Sequence, residues 1–81
     1  MKRTTPALEP GQIWADNDPR SAGRTIGIDY VRISPHGEWV ADCTILTDAY
    51  NASSTRVGKH TTIAVRRFKP TSTGYRFVER P

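Results

Sequence analysis

Between Tyr50 and the C-terminus, Arg56, Lys59, Arg66, Arg67, Lys69, Arg76 and Arg80 face a single carboxylate, Glu79. Guanidinium and ammonium groups at this density pair with phosphates or carboxylates and release condensed counterions. This segment carries +6 while residues 1–49 carry −2, so the chain is electrically two-sided. The cations are interleaved with Ile63, Val65, Phe68, Tyr75 and Phe77, a spacing that fits an ordered sheet better than a solvated tail. Rings beside cations suit single-stranded nucleic acid, because a ring stacks on any base while Arg or Lys holds the phosphate. The candidate contacts to nucleic acid or another partner are therefore Arg56, Lys59, Arg66, Arg67, Lys69 and Arg76. Tyr50 joins them as the ring expected to be most exposed, with Trp14 second because it adjoins an acidic turn.

A second polar cluster is Asp16-Asn17-Asp18-Pro19-Arg20, followed by Arg24. Its alternating oxygens open like a calcium loop, but no glycine stands at the sixth position and no glutamate closes the twelfth, so no metal site is expected. The stronger reading is structural. Asp16 or Asp18 caps the turn, and Arg20 or Arg24 pairs with a carboxylate to hold the loop. In its functional version, Asp18, Arg20 and Arg24 contact a partner at the border of a cleft. Catalysis is not expected: His36 falls in a turn, His60 at a strand start, and Cys43 mid-strand with core residues. No phosphate-binding glycine loop or ligand cluster is present, and no cofactor is expected.

The elements that must position these groups are short. Eighty-one residues make one small domain, and a lone cysteine offers no internal disulfide, so packing alone must stabilise it. No apolar run approaches the roughly 20 residues that span a bilayer, and Met1 to Pro6 lacks a secretory apolar stretch. The chain reads as cytoplasmic. Residues 1–10 read as a flexible N-terminal arm and residues 11–81 as the domain.

Gln12 to Ala15 reads as a first strand running into the acidic turn. From Arg24, period-two alternation places Ile26, Ile28 and Tyr30 on one face, then slips so that Val31 and Ile33 take the opposite parity. That slip predicts a bulge or bend between Asp29 and Val31. Ser34-Pro35-His36-Gly37 carries turn chemistry and leads to a partner strand in which Trp39, Ala41, Cys43 and Ile45 share a face. Tyr50 to Lys59, ten residues without periodicity, reads as a loop. His60 to Arg67 resumes alternation with Ile63 and Val65 inward, and Pro70 ends it. Tyr75 to Val78 forms the last strand. Trp39, Phe77, Tyr30 and Phe68 are expected to fill the core. No window shows helical spacing. The expected fold is all-β: five short strands in a strongly bent sheet or barrel, SH3-like in preference to OB-like.

Gly11-Gln12-Ile13-Trp14, Asp18-Pro19-Arg20, Gly23-Arg24, Arg66-Arg67-Phe68-Lys69-Pro70 and Thr73-Gly74-Tyr75-Arg76 together form a pattern. It resembles that of short uncharacterised proteins encoded by actinobacteria and their phages, over scattered blocks between residues 10 and 78. The resemblance implies a compact stand-alone domain, cytoplasmic or phage-encoded, and brings no agreed activity and no catalytic residue. Two functions follow as expectations. One is a non-enzymatic binding module whose basic C-terminal face contacts nucleic acid. The other is a protein-interaction module that modulates a host or phage protein through barrel loops or a free sheet edge. Such an edge is also compatible with a homodimer.

Overall fold

The computed structural model describes residues 8–52 and 55–79. Five strands form one antiparallel sheet: β1 (Ile13–Asp16), β2 (Thr25–Ile33), β3 (Trp39–Thr47), β4 (His60–Ala64) and β5 (Tyr75–Glu79). Their spatial order is β4-β3-β2-β1-β5. The protein is therefore all-β, with two 3-10 turns, Pro19–Ser21 and Val65–Arg67, and among the described residues no helix able to cross a membrane. Consecutive hairpins build the β2-β3-β4 meander. The last connection then carries the chain back to the opposite edge, where β5 pairs with β1.

Inward-facing Trp14, Ile26, Ile28, Ala41, Cys43, Ile45, Ile63, Phe68 and Tyr75 form one core, flanked by Leu8, Val31 and Phe77. Trp14 is fully buried and meets Phe68 and Phe77 edge-on, at 5.1 and 5.5 Å between ring centroids. This corrects the expectation that Trp14 ranks second in exposure. β1 lies between β2 and β5, so its inward ring is covered by the shared core, and the acidic turn beyond it does not expose it. Gln12, also buried, accepts a hydrogen bond from Trp14 Nε1 at 3.0 Å, satisfying the one polar atom of the ring.

β2 is bulged at Asp29. Ile28 stands opposite Cys43 and Tyr30 opposite Asp42, which leaves Asp29 without a partner position. The extra residue turns Tyr30 outward and Val31 inward. Tyr30 is accordingly 55% exposed, a correction to its expected place in the core. Trp39 is a second correction. It shares parity with Ala41 and Cys43, but it opens β3 opposite Ile33, the last residue of β2, beyond the reach of β1, and is 55% exposed.

A third correction concerns β4, which stops at Ala64; Val65–Arg67 is a 3-10 turn and not a continuation of the strand. Val65 is half-buried and Phe68, directly after the turn, is buried. Of the segment read as an arm, residues 1–7 lie outside the described residues. Leu8 packs against the core, and Gly11 N–H donates to the Ile28 carbonyl at 2.8 Å.

Candidate functional site

At one end of the sheet the β1–β2 loop, the β3–β4 loop and the start of β5 enclose a cleft of about 330 Å3. The first wall is built by local chemistry of the β1–β2 loop. Asp16 Oδ1 accepts from Asp18 N–H at 2.9 Å, and Asp18 caps the following 3-10 turn by accepting from Arg20 N–H at 3.0 Å. Arg20 then closes onto the same carboxylate through Nε and Nη2, at 3.1 and 2.7 Å. Those guanidinium bonds, followed by the backbone bond and with Arg67 adding a smaller contribution, hold the Asp18 carboxyl down at about 2.

The opposite wall hangs on Asp48, whose side chain is 6% exposed. Its carboxylate accepts from Ala49 N–H at 2.7 Å and from Arg56 N–H at 2.8 Å, so one side chain ties both ends of the β3–β4 loop. Arg24 lies between the walls, with Nη1 3.9 Å from Asp16 and Nε 3.4 Å from Asp48. The Nε approach falls outside hydrogen-bond geometry, which leaves this buried donor without a bond partner in the structure.

Tyr50 forms the rim. Its N–H donates to the Ala22 carbonyl at 2.8 Å, and its ring lies across Gly23, where a Cβ would meet three ring atoms at 2.8–2.9 Å. Gly23 also adopts φ +99°, so both backbone conformation and space require glycine there. Arg76, on β5, lines the same cleft and donates to Asn17 Oδ1 at 2.7 Å, while Asn17 Nδ2 donates to the Thr71 carbonyl at 3.0 Å. Arg67 donates to the Thr73 carbonyl at 2.6 Å and rests over the Tyr75 ring, 5.6 Å from its centroid.

Of the residues singled out from the sequence, Asp18, Arg20, Arg24, Tyr50, Arg67 and Arg76 converge at this end. Arg56 reaches it through Asp48, at 3.5 Å. Lys59 is exposed at the close of the β3–β4 loop, and Lys69 is exposed in the turn before β5. Arg66 points elsewhere and pairs with Glu38 of the β2–β3 hairpin. Successive residues of a 3-10 turn diverge by about a third of a turn, so Arg66 and Arg67 serve different surfaces. Arg80 lies outside the described residues.

The acids of the first half pair largely within that half: Asp18 with Arg20, Asp16 with Arg24, and Asp42 with Arg32. Among the described residues, salt bridges to arginines of the second half come from Asp48 and Glu38, while Asp29 stands 3.7 Å from His60. Among the described residues, Lys59, Arg67, Lys69 and Arg76 form no salt bridge, although Arg67 acts on Asp18 at longer range.

Asn17, Gly23 and Asp48 were missed by sequence reasoning. A glycine at the exit of a turn is a signal for a close approach, but the ring that approaches Gly23 is distant in sequence. Asp48 carries no local mark of its role. For nucleophilic chemistry the geometry offers little: Cys43 is fully buried, and burial pushes its thiol up to about 12. No group of His, Cys, Asp and Glu suited to a metal ion occurs among the described residues. Comparison with protein-family models, with curated proteins and with solved structures gives no match to this chain.

Proposed function

We propose that this protein is a small binding module that contacts nucleic acid with the cleft end of its sheet. The observation that carries this reading is the set of cations that, among the described residues, form no salt bridge. Arg67 and Arg76 flank the β1–β2 loop, with Lys69 in the turn between them and Lys59 on the neighbouring loop. Guanidinium groups outside salt bridges, beside an exposed ring, suit a phosphate backbone with accessible bases. The SH3-like variant of the fold belongs to the same proposal. It is supported by the bulged β2, by the β2-β3-β4 meander, and by the return of β5 to β1 after a 3-10 turn.

The test is fluorescence anisotropy with labelled oligonucleotides at about 50 and about 200 mM salt. Joint Arg67→Ala and Arg76→Ala substitution should weaken binding to all sequences alike and reduce the log-log salt slope by about two. Arg66→Ala, on a side chain already paired with Glu38, should leave the slope near its original value. Absence of binding at low salt would overturn the reading.

A protein-interaction module is the second reading, and one surface favours it. Ile33 and Trp39 face each other across β2 and β3, 54% and 55% exposed, at the end of the sheet away from the cleft. Light scattering of the wild type and of Trp39→Ser would detect self-association through this pair. A monomer at high concentration in both removes the homodimer version.

A further inference from the structure

Resting on the nucleic-acid reading, we propose that the cleft holds one unpaired nucleotide, with its base stacked on the open face of Tyr50 and its phosphate on Arg76. Tyr50 is 88% exposed, yet its position is set from both directions. Its backbone is bonded to Ala22, and one side of its ring is covered by Gly23, which leaves the remaining ring surface open to solvent. An exposed ring ordinarily gives up rotamer freedom when it stacks on a ligand. Here the glycine and the backbone bond have already restricted it, so less is lost on binding.

Arg76 lines the same cleft, and among the described residues one of its five donors is used, on Asn17. The remaining donors can meet a phosphate in the forked geometry that favours arginine. Arg24, at the back of the cleft, holds a buried Nε that makes no hydrogen bond among the described residues and stands 3.4 Å from Asp48. The two acids in the lining do not stand alone, since Asp16 lies beside Arg24 and Asp18 is bound by Arg20. A cleft of about 330 Å3 lies at the small end of ligand pockets, the scale of one nucleotide and not of a duplex. Bases within a duplex keep their faces stacked on one another, so a ring at a cleft rim reaches a base only in an unpaired strand. An extended peptide could also lie against a tyrosine. The lining itself holds two arginines against two aspartates, and the excess that favours the phosphodiester lies on its border, where Arg20, Arg56 and Arg67 stand against Asp48.

The proposal is tested with the full chain and three labelled probes of equal length: a dT12 strand, an abasic deoxyribose-phosphate strand and a duplex. The wild type should bind dT12 more tightly than the abasic strand. Tyr50→Ala should cost about 5- to 100-fold on dT12, with the abasic and duplex affinities and the salt slope unchanged, and Tyr50→Phe should retain dT12 binding. Equal affinity of the wild type for dT12 and the abasic strand would overturn the stacked base, as would a Tyr50→Ala loss shared by all three probes. Either result would leave the basic-face reading intact. No binding of any probe at low salt would remove both readings. Capture of an acidic or proline-rich peptide in place of dT12, lost in Tyr50→Ala, would assign the cleft to peptide and overturn the nucleotide.

Discussion

The two ends of the sheet are held by different chemistry. At the cleft end, long loops are fastened by carboxylates that accept backbone N–H groups: Asp16 from Asp18, Asp18 from Arg20, and Asp48 from both Ala49 and Arg56. At the other end, the tight Ser34–Glu38 turn is closed by backbone bonds and one hydroxyl. Ser34 N–H donates to Glu38 O at 2.8 Å, and Ser34 Oγ accepts from His36 and Glu38. The surface departs from the sequence expectation at the hairpin end. The acidic turn serves as the structural tie it was first read as, whereas Trp39, expected in the core, is exposed beside Ile33 at the hairpin end. A small sheet lacks the interior volume to bury every inward-facing ring, so position along the strand decides burial as much as parity does.

The two tryptophans give the largest expected contrast. Trp14→Ala should lower unfolding free energy by about 3–5 kcal/mol, the usual cost of removing a large buried ring. Trp39→Ala should cost under about 1 kcal/mol, as at an exposed site. Chemical denaturation of both variants measures the difference, and equal losses would mean that the hairpin end is packed as tightly as the cleft end.

Two glycines sharpen the same contrast at smaller scale. A Cβ at Gly74, in the turn before β5, would stand 2.2 Å from the Lys69 carbonyl oxygen and 2.9 Å from that of Arg67, both backbone atoms unable to rotate away. Gly74→Ala should cost at least about 1–3 kcal/mol through forced backbone shifts. Gly37, at the hairpin, has φ +83° and open space around it, so Gly37→Ala should carry only the left-handed penalty, about 1 kcal/mol. Thermal melts that rank Gly37→Ala as the more damaging would break the comparison.

The smallest effect is local and set by pH. The Asp18 carboxyl is lowered to about 2 from its ordinary 3.8. A depressed carboxyl contributes stability that is fully present above the ordinary value and is lost as pH falls through the folded one. The Arg20 N–H resonance should therefore shift with a midpoint near about 2. The Gly37 N–H, held by the Ser34 carbonyl in a turn without a carboxylate acceptor, should not follow it. Matching titrations at the two sites would show that the ends are coupled.

Much of the fold was legible because alternation is a local property. Ile26 and Ile28 against Val31 and Ile33 exposed the parity slip, and the bulge falls at Asp29, inside the predicted interval. The side taken by Tyr30 was misread. It was grouped with the residues before the bulge, although the extra residue had already turned it outward. In the site, the Asp18 cap and its Arg20 partner lie two residues apart and could be read directly, as could the exposure of Tyr50 in a polar loop. Arg66 and Arg67 looked alike as neighbours in a cationic run. Only the end of β4 at Ala64 and the 3-10 turn after it sent one to Glu38 and the other toward Asp18 and Tyr75.

By itself, the sequence determined the all-β class, the strand segments apart from the end of β4, the bulge and the chemistry of the acidic turn, because each depends on residues within a few positions of one another. Tertiary structure alone decided which acids neutralise which arginines, that Asp48 ties both ends of a long loop, and that Tyr50 lies over Gly23 beside Arg76. Those relations join residues distant in sequence. Their energies depend on separations of a few ångströms that no local pattern encodes, and they exist only after the sheet has brought β1, β3 and β5 to one end of the molecule.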